Sequence, residues 1–145
     1  MSTDQYLRNA MIVALKLAKE KGTPFGAVLL DLDYKIVAMA ANSTGIDGPL
    51  AHAEINLLRN GWEKIGDLSS YTLVSTCEPC PMCMGAIVWY GIEKVYFGAY
   101  IEDAAQYLSQ IHVPAEEIAN KSKLKIEIHG GLLREECISL FELMN

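Results

Sequence analysis

The chain has no run of ~18 apolar residues, so nothing in it reads as a membrane span. Its opening residues, Met1-Ser2-Thr3-Asp4, lack the basic and apolar regions of a secretory signal, which points to a cytoplasmic protein. Lysine and arginine never cluster. The densest basic stretch is Lys121-Ser122-Lys123-Leu124-Lys125, and the formal net charge is −6. A protein that grips a polynucleotide usually meets the phosphates with a basic patch, so this balance favours a small-molecule partner over nucleic acid. Linkers, repeats and low-complexity segments are missing as well. With 145 residues, 51% of them hydrophobic, the chain is expected to form one globular domain, residues 1–145, with a core that needs no staples.

Cysteine is scarce and unevenly placed. Three of the four, Cys77, Cys80 and Cys83, fall within seven residues. That crowding in a chain too large to be a disulfide scaffold favours metal binding in a reducing compartment. Cys80 and Cys83 stand three apart at the expected mouth of a helix, where two thiolates can meet one soft or borderline metal. A tetrahedral zinc site with a catalytic role takes three protein ligands and leaves the fourth position to water, and His52 is the candidate for the third. No second Cys-x-x-Cys pair exists, which weakens a purely structural zinc reading. Glu54 lies two residues from His52, where a carboxylate can move protons while the metal makes hydroxide from water at neutral pH. Residues two apart do not face each other on a regular helix. His52 and Glu54 therefore share a site only if a helix begins around them.

Read in order, the chain alternates. Apolar residues from Tyr6 to Glu20 recur at helical spacing, with Thr3 or Asp4 as cap, Lys19 and Lys21 suited to the C-terminal dipole, and Gly22 as stop. Ala27–Leu30 and Ile36–Ala40 read as strands joined by a polar turn over Asp31–Lys35. A helix over Ala51–Arg59 ends at Gly61. Tyr71–Thr76 is a central strand running into the cysteine motif. Pro81 suits the first position of the next helix, which Gly91 ends. Glu93–Gly98 is a strand, Glu102–Gln110 a short helix, Pro114–Glu117 a turn, Leu124–Ile128 an edge strand and Leu132–Leu143 a closing helix. An opening hairpin followed by alternation predicts an α/β fold of three layers, α/β/α, around a mixed five-stranded sheet.

His52-Ala53-Glu54 followed by Pro79-Cys80-Pro81-Met82-Cys83 is the His-x-Glu and Pro-Cys-x-x-Cys string of the zinc nucleobase deaminases. On it the chain resembles the cytidine deaminase-like superfamily, and within that the guanine deaminase and transfer-RNA adenosine deaminase branch. The resemblance implies one Zn²⁺ per chain on His52, Cys80 and Cys83, with Glu54 as the catalytic proton shuttle and a homodimer as the assembly. It also implies substrate contacts from Asn42, Phe25, Ala53 and Asp103. By residue chemistry alone Asn42 reads as a turn former and Phe25 as a core residue. Glu78 reads as a helix cap or hydrogen-bond acceptor in a supporting role, Cys77 as a small residue at a strand end, and Cys137 as core.

Pro24-Phe25-Gly26-Ala27-Val28, Cys77-Glu78-Pro79-Cys80-Pro81-Met82-Cys83 and Asp103-Ala104-Ala105 look closer to guanine deaminase, and the Lys-Thr-Gly-Ala-type loop of the transfer-RNA branch is absent. Guanine to xanthine plus ammonia is thus the leading expectation. A transfer-RNA adenosine, or cytosine or another small heteroaromatic base or nucleoside, is the alternative. After Asp103 the chain departs from the guanine branch. It is shorter, the acidic residue used against the guanine edge has no match, and Tyr107, Leu108 and Ser109 lie there instead.

Overall fold

The computed structural model describes residues 1–144, so Asn145, the last residue of the expected domain, lies outside the described residues. Ala27-Val28-Leu29-Leu30 is apolar at every position because its strand, β1 (Gly26–Leu30), is covered on both faces and buried throughout. It pairs antiparallel with β2 (Ile36–Ala41) on one side and β3 (Thr72–Cys77) on the other. Beyond β3 the pairing turns parallel, to β4 (Lys94–Ala99) and then β5 (Glu127–His129). The result is a mixed sheet in the order β2-β1-β3-β4-β5.

Strand periodicity splits the core in two. Val28, Leu30 and Val74 face α1 (Thr3–Lys21) and α7 (Arg134–Leu143), packing with Met11, Ala14, Leu140 and Phe141. Ala27, Leu29, Leu73 and Val95 face the opposite layer, α3 (Ala53–Ile65) and α4 (Pro81–Tyr90), with Leu57, Leu58, Met84 and Ile87. Three short helices complete the two halves: α2 (Thr44–Asp47) in the first, and α5 (Ile101–Ala104) followed by α6 (Ala115–Asn120) in the second. This is the three-layer α/β/α arrangement expected from the alternation. Gly98 is where α7 comes closest to the sheet, since a Cβ there would meet the Cys137 side chain and the Leu132 carbonyl.

Local chemistry sets most boundaries. The cap of α1 is Ser2, one residue ahead of the expected Thr3 or Asp4, because Gln5 three positions on completes a reciprocal capping box with it. Gly22 ends α1 with φ 70° and Gly91 ends α4 with φ 76°, the left-handed conformation that stops helices. Gly61, expected to end α3, lies inside it. Its missing side chain lets the helix approach Leu29 and Leu68, whose methyls would stand 3.0 and 3.1 Å from a Cβ, and Gly66 ends the helix instead. The hairpin turn is held by Asp31, whose carboxylate accepts the N–H groups of Asp33 and Lys35.

Two expected elements are cut short. The helix over Glu102–Gln110 is a single turn, α5, because the N–H groups of Ile101 and Ala115 are both bound to the carboxylate of Glu78 at 2.9 Å. A straight helix across that span would carry the chain ~14 Å away, whereas here it must return. The edge strand begins at Glu127 rather than Leu124, since Ser122 Oγ accepts the Leu124 N–H and donates to the Ala119 carbonyl, which holds that stretch as a turn.

Candidate active site and metal centre

Three candidate ligands meet where α3 and α4 begin. His52 is the N-cap of α3, in extended backbone with φ −69° and ψ 157°. The helix therefore starts at Ala53, and Glu54 stands in its first turn, where the two-residue spacing brings both side chains to one cavity. Cys80 is the N-cap of α4, Pro81 occupies the first helical position as expected, and Cys83 lies in the first turn. Strand β3 delivers the chain to this point.

His52 Nδ1 is 3.6 Å from Cys80 Sγ and 3.5 Å from Cys83 Sγ, and the three ligand atoms lie within 4.8 Å of one another. Tetrahedral zinc with Zn–S of about 2.3 Å and Zn–N of about 2.0 Å sets a nitrogen–sulfur separation near ~3.6 Å. The donor set and its spacing fit zinc. Both helices aim positive dipole ends at this point, which favours thiolate. A hydrogen bond with Cys83, seconded by His52, holds Cys80 down to about 4. The same bond pushes Cys83 up. The bond to Cys80 raises His52 above the usual imidazole value.

A cavity of about 380 Å³ opens over His52 and Cys80, with Cys83 buried behind them. It is lined by Phe25 and Asn42 from the first half of the chain, by His52, Glu54, Cys77, Glu78 and Cys80 at its floor, and by Leu108–Ile111 on the far side. A larger, shallower groove of about 880 Å³ runs along α3 from Ala40 to Glu63. It touches none of the ligands, so the chemistry belongs to the smaller cavity. Glu54 is 6% exposed, and burial pushes its carboxyl up to about 7, near the pH at which a general acid–base works best.

The remaining expected contacts separate. Phe25 lines the cavity and also packs edge-on against Phe141 at 5.6 Å, so it serves core and wall together. Asn42 is the turn former its residue chemistry implied, its Oδ1 accepting the Thr44 N–H and hydroxyl, each at 3.0 Å, and it also borders the cavity. Ala53 is fully buried and absent from the lining. Asp103 is also outside it. Its carboxylate takes Arg134 in two hydrogen bonds, Nη2 at 2.6 Å and Nε at 2.9 Å, together with the Tyr100 N–H. Cys77 stands at the strand end in the cavity floor, and Cys137 is core beside Met11. Sequence reasoning missed Gln110 and Ile111, which lie beyond any motif and reach the cavity only because the chain doubles back.

The family model for the cytidine and deoxycytidylate deaminase zinc-binding region matches residues 1–99. The chain belongs to this family of zinc-dependent hydrolytic deaminases. It is 36% identical over 141 residues to a tRNA-specific adenosine deaminase of Bacillus subtilis (strain 168), covering 94% of this chain and 85% of that protein. It is 35% identical over 128 residues to the guanine deaminase of the same organism, covering 81% of each. Among solved structures it superposes with a TM-score of 0.84 on a NE0047 mutant in complex with 8-azaguanine, at 26% identity over 95% of this chain and 83% of that one.

Proposed function

We propose that this protein deaminates a free nucleobase by hydrolysis, with guanine as the leading substrate and xanthine and ammonia as products. One observation carries this reading. Glu54 and two of the three candidate zinc ligands, His52 and Cys80, line a partly enclosed cavity of about 380 Å³, in the size class of small-molecule sites. The guanine deaminase relative and the fit to a structure solved with 8-azaguanine support the choice of base.

When bound, zinc supplies the Lewis acidity that makes water a nucleophile at neutral pH. The chain's own residues do the rest. Glu54 takes the proton of the attacking water, passes it to the ring nitrogen beside the carbon under attack, and returns a proton to the leaving amine. Its burial keeps it close to neutrality, so it can both accept and give. Phe25 offers an aromatic edge to the base, and the Asn42 amide nitrogen, unused in its turn, is available to a ring acceptor.

Transfer RNA is the second reading, favoured by the 36% identity to the adenosine deaminase and disfavoured by a net charge of −6. The test is ammonia release by zinc-loaded protein from guanine, cytosine, adenine, their nucleosides and transfer RNA, with Glu54→Gln as blank. Release from guanine is expected. Release only from transfer RNA would overturn the substrate choice.

The assembly we propose is a homodimer joined through α3 and α4. Trp89 on α4 is 90% exposed, and Trp62, packed edge-on against Tyr90 at 6.2 Å, is 57% exposed beside it. Two thiols that must stay reduced to hold zinc suit a cytoplasmic location. No helix among the described residues is long and apolar enough to cross a membrane.

A further inference from the structure

Glu78 is a carboxylate the proposed chemistry does not use, yet it is 9% exposed and fully engaged. Oε1 accepts the Ile101 N–H and Oε2 the Ala115 N–H, each at 2.9 Å. One side chain thus fastens both ends of the segment between α5 and α6. The middle of that segment, Leu108 to Ile111, is the far wall of the cavity.

We infer that Leu108–Ile111 is the wall by which this protein selects its base, that Glu78 is the positioning residue holding it, and that Gln110 reads the base through neutral amide chemistry. The inference rests on the reading of this cavity as the substrate site. With both Glu78 oxygens spent on backbone N–H groups, Glu54 is the one carboxylate among the described lining residues left to meet a substrate, and it is committed to proton transfer. Leu108 and Ile111 are apolar, while the side chains of Ser109 and Gln110 have no hydrogen-bond partner among the described residues. A carboxylate wall selects an edge of adjacent donors. A carboxamide, with one donor and one acceptor in a plane, instead matches a mixed edge, one donor beside one acceptor, through two parallel hydrogen bonds, whether that edge is a lactam or, with the amide turned over, an amidine. The substrate class is therefore an aminated heterocycle that carries such a mixed edge, as guanine does in its lactam. A site built to pair such an edge discriminates sharply against a ring lacking it, because its own polar groups are left unmatched.

The test has two arms. In the first, steady-state kinetics compare guanine with 2-aminopurine, which keeps the amine but has hydrogen in place of the carbonyl oxygen and so lacks the paired edge. Gln110→Leu is expected to raise KM for guanine about tenfold and leave that for 2-aminopurine within about threefold. An unchanged guanine KM would overturn the edge reading. In the second, amide hydrogen exchange and zinc content are measured on Glu78→Gln and on Ala115→Pro. The latter deletes one donor without touching Glu78, at a helix position where proline fits. Both variants are expected to keep their zinc and to lose protection across residues 101–115. KM should rise at least about fivefold while kcat changes less than threefold. Protection unchanged in both variants would overturn the Glu78 tie, and lost protection without a KM change would overturn the selecting role. A wild type that releases no ammonia from any base overturns the functional reading and the edge reading with it, while the exchange data decide the tie on their own.

Discussion

Glu54 combines near-complete burial with a carboxyl that burial lifts towards neutrality, which is what the proton transfer proposed for it requires. Glu54→Gln keeps the shape and removes the base, so zinc content is expected to stay at one per chain while ammonia release falls by about 10²–10⁴-fold. The same variant reports on stability. Burial lifts the Glu54 carboxyl from 4.5 to about 7, so the metal-free native state binds this proton more tightly than the unfolded chain does. The resulting stability is fully present below pH ~4.5 and is lost as pH rises through ~7. Measured by urea unfolding of metal-free protein, Glu54→Gln should gain on the wild type by about 3 kcal/mol between those limits. A gap that does not change with pH would contradict the burial argument. Next to Glu54, the metal competes with protons. His52 is raised by Cys80 and Cys83 by its shared hydrogen bond, so zinc must displace protons from both. Affinity should fall by about 10- to 100-fold per pH unit below neutrality, with proton release visible by calorimetry in buffers of different ionisation enthalpy.

At the scale of single elements, the clustering of His52, Glu54, Cys80 and Cys83 was legible because these residues sit at helix starts, and helix starts leave local marks. Pro81 at the first position of α4 and Gly91 past its end follow from backbone chemistry alone. The spacing of His52 and Glu54 required a helix beginning between them, and α3 begins at Ala53. The region after β4 was not legible, because its path is set by Glu78, 23 and 37 residues away from the amides it holds. No periodicity records such a tie. Asp103 shows the same limit: motif likeness suggested a substrate contact, whereas its carboxylate fastens α5 to α7 through Arg134. That pairing lowers the Asp103 carboxyl below the usual aspartate value, so its stabilisation is present above pH ~4 and fades as pH falls through the lowered value. Asp103→Asn should lower the thermal midpoint at pH 7 and close the gap at pH ~3 or below, with KM for guanine within about twofold of wild type. A large rise in KM would restore Asp103 to the substrate.

For the molecule as a whole, the five strands, their mixed pairing and the two-faced burial followed from alternation and apolar runs. What escaped were α2, the end of α3, the lengths of α5 and β5 and the helical state of 115–120, which depend on neighbours rather than on pattern. The surface makes its own statement. An indole 90% exposed on the helix that follows the cysteines is an apolar patch seeking cover. Light scattering is expected to give a dimer for the wild type and a monomer for Trp89→Lys at micromolar concentration, with zinc content unchanged. A monomeric wild type would remove the dimer.

The order of the strands has one more consequence. The three candidate zinc ligands, Glu54 and four of the five strands precede residue 100, the stretch that the family model matches, whereas Leu108–Ile111, the wall proposed to select the base, comes after it. On the proposed reading, reaction and choice of reactant are written in successive lengths of the same chain. Drift or recombination in the later length would then retarget the enzyme while the earlier one went on releasing ammonia, provided Leu140 and Phe141 keep their seats against α1. Relatives that share the first hundred residues need not share a diet.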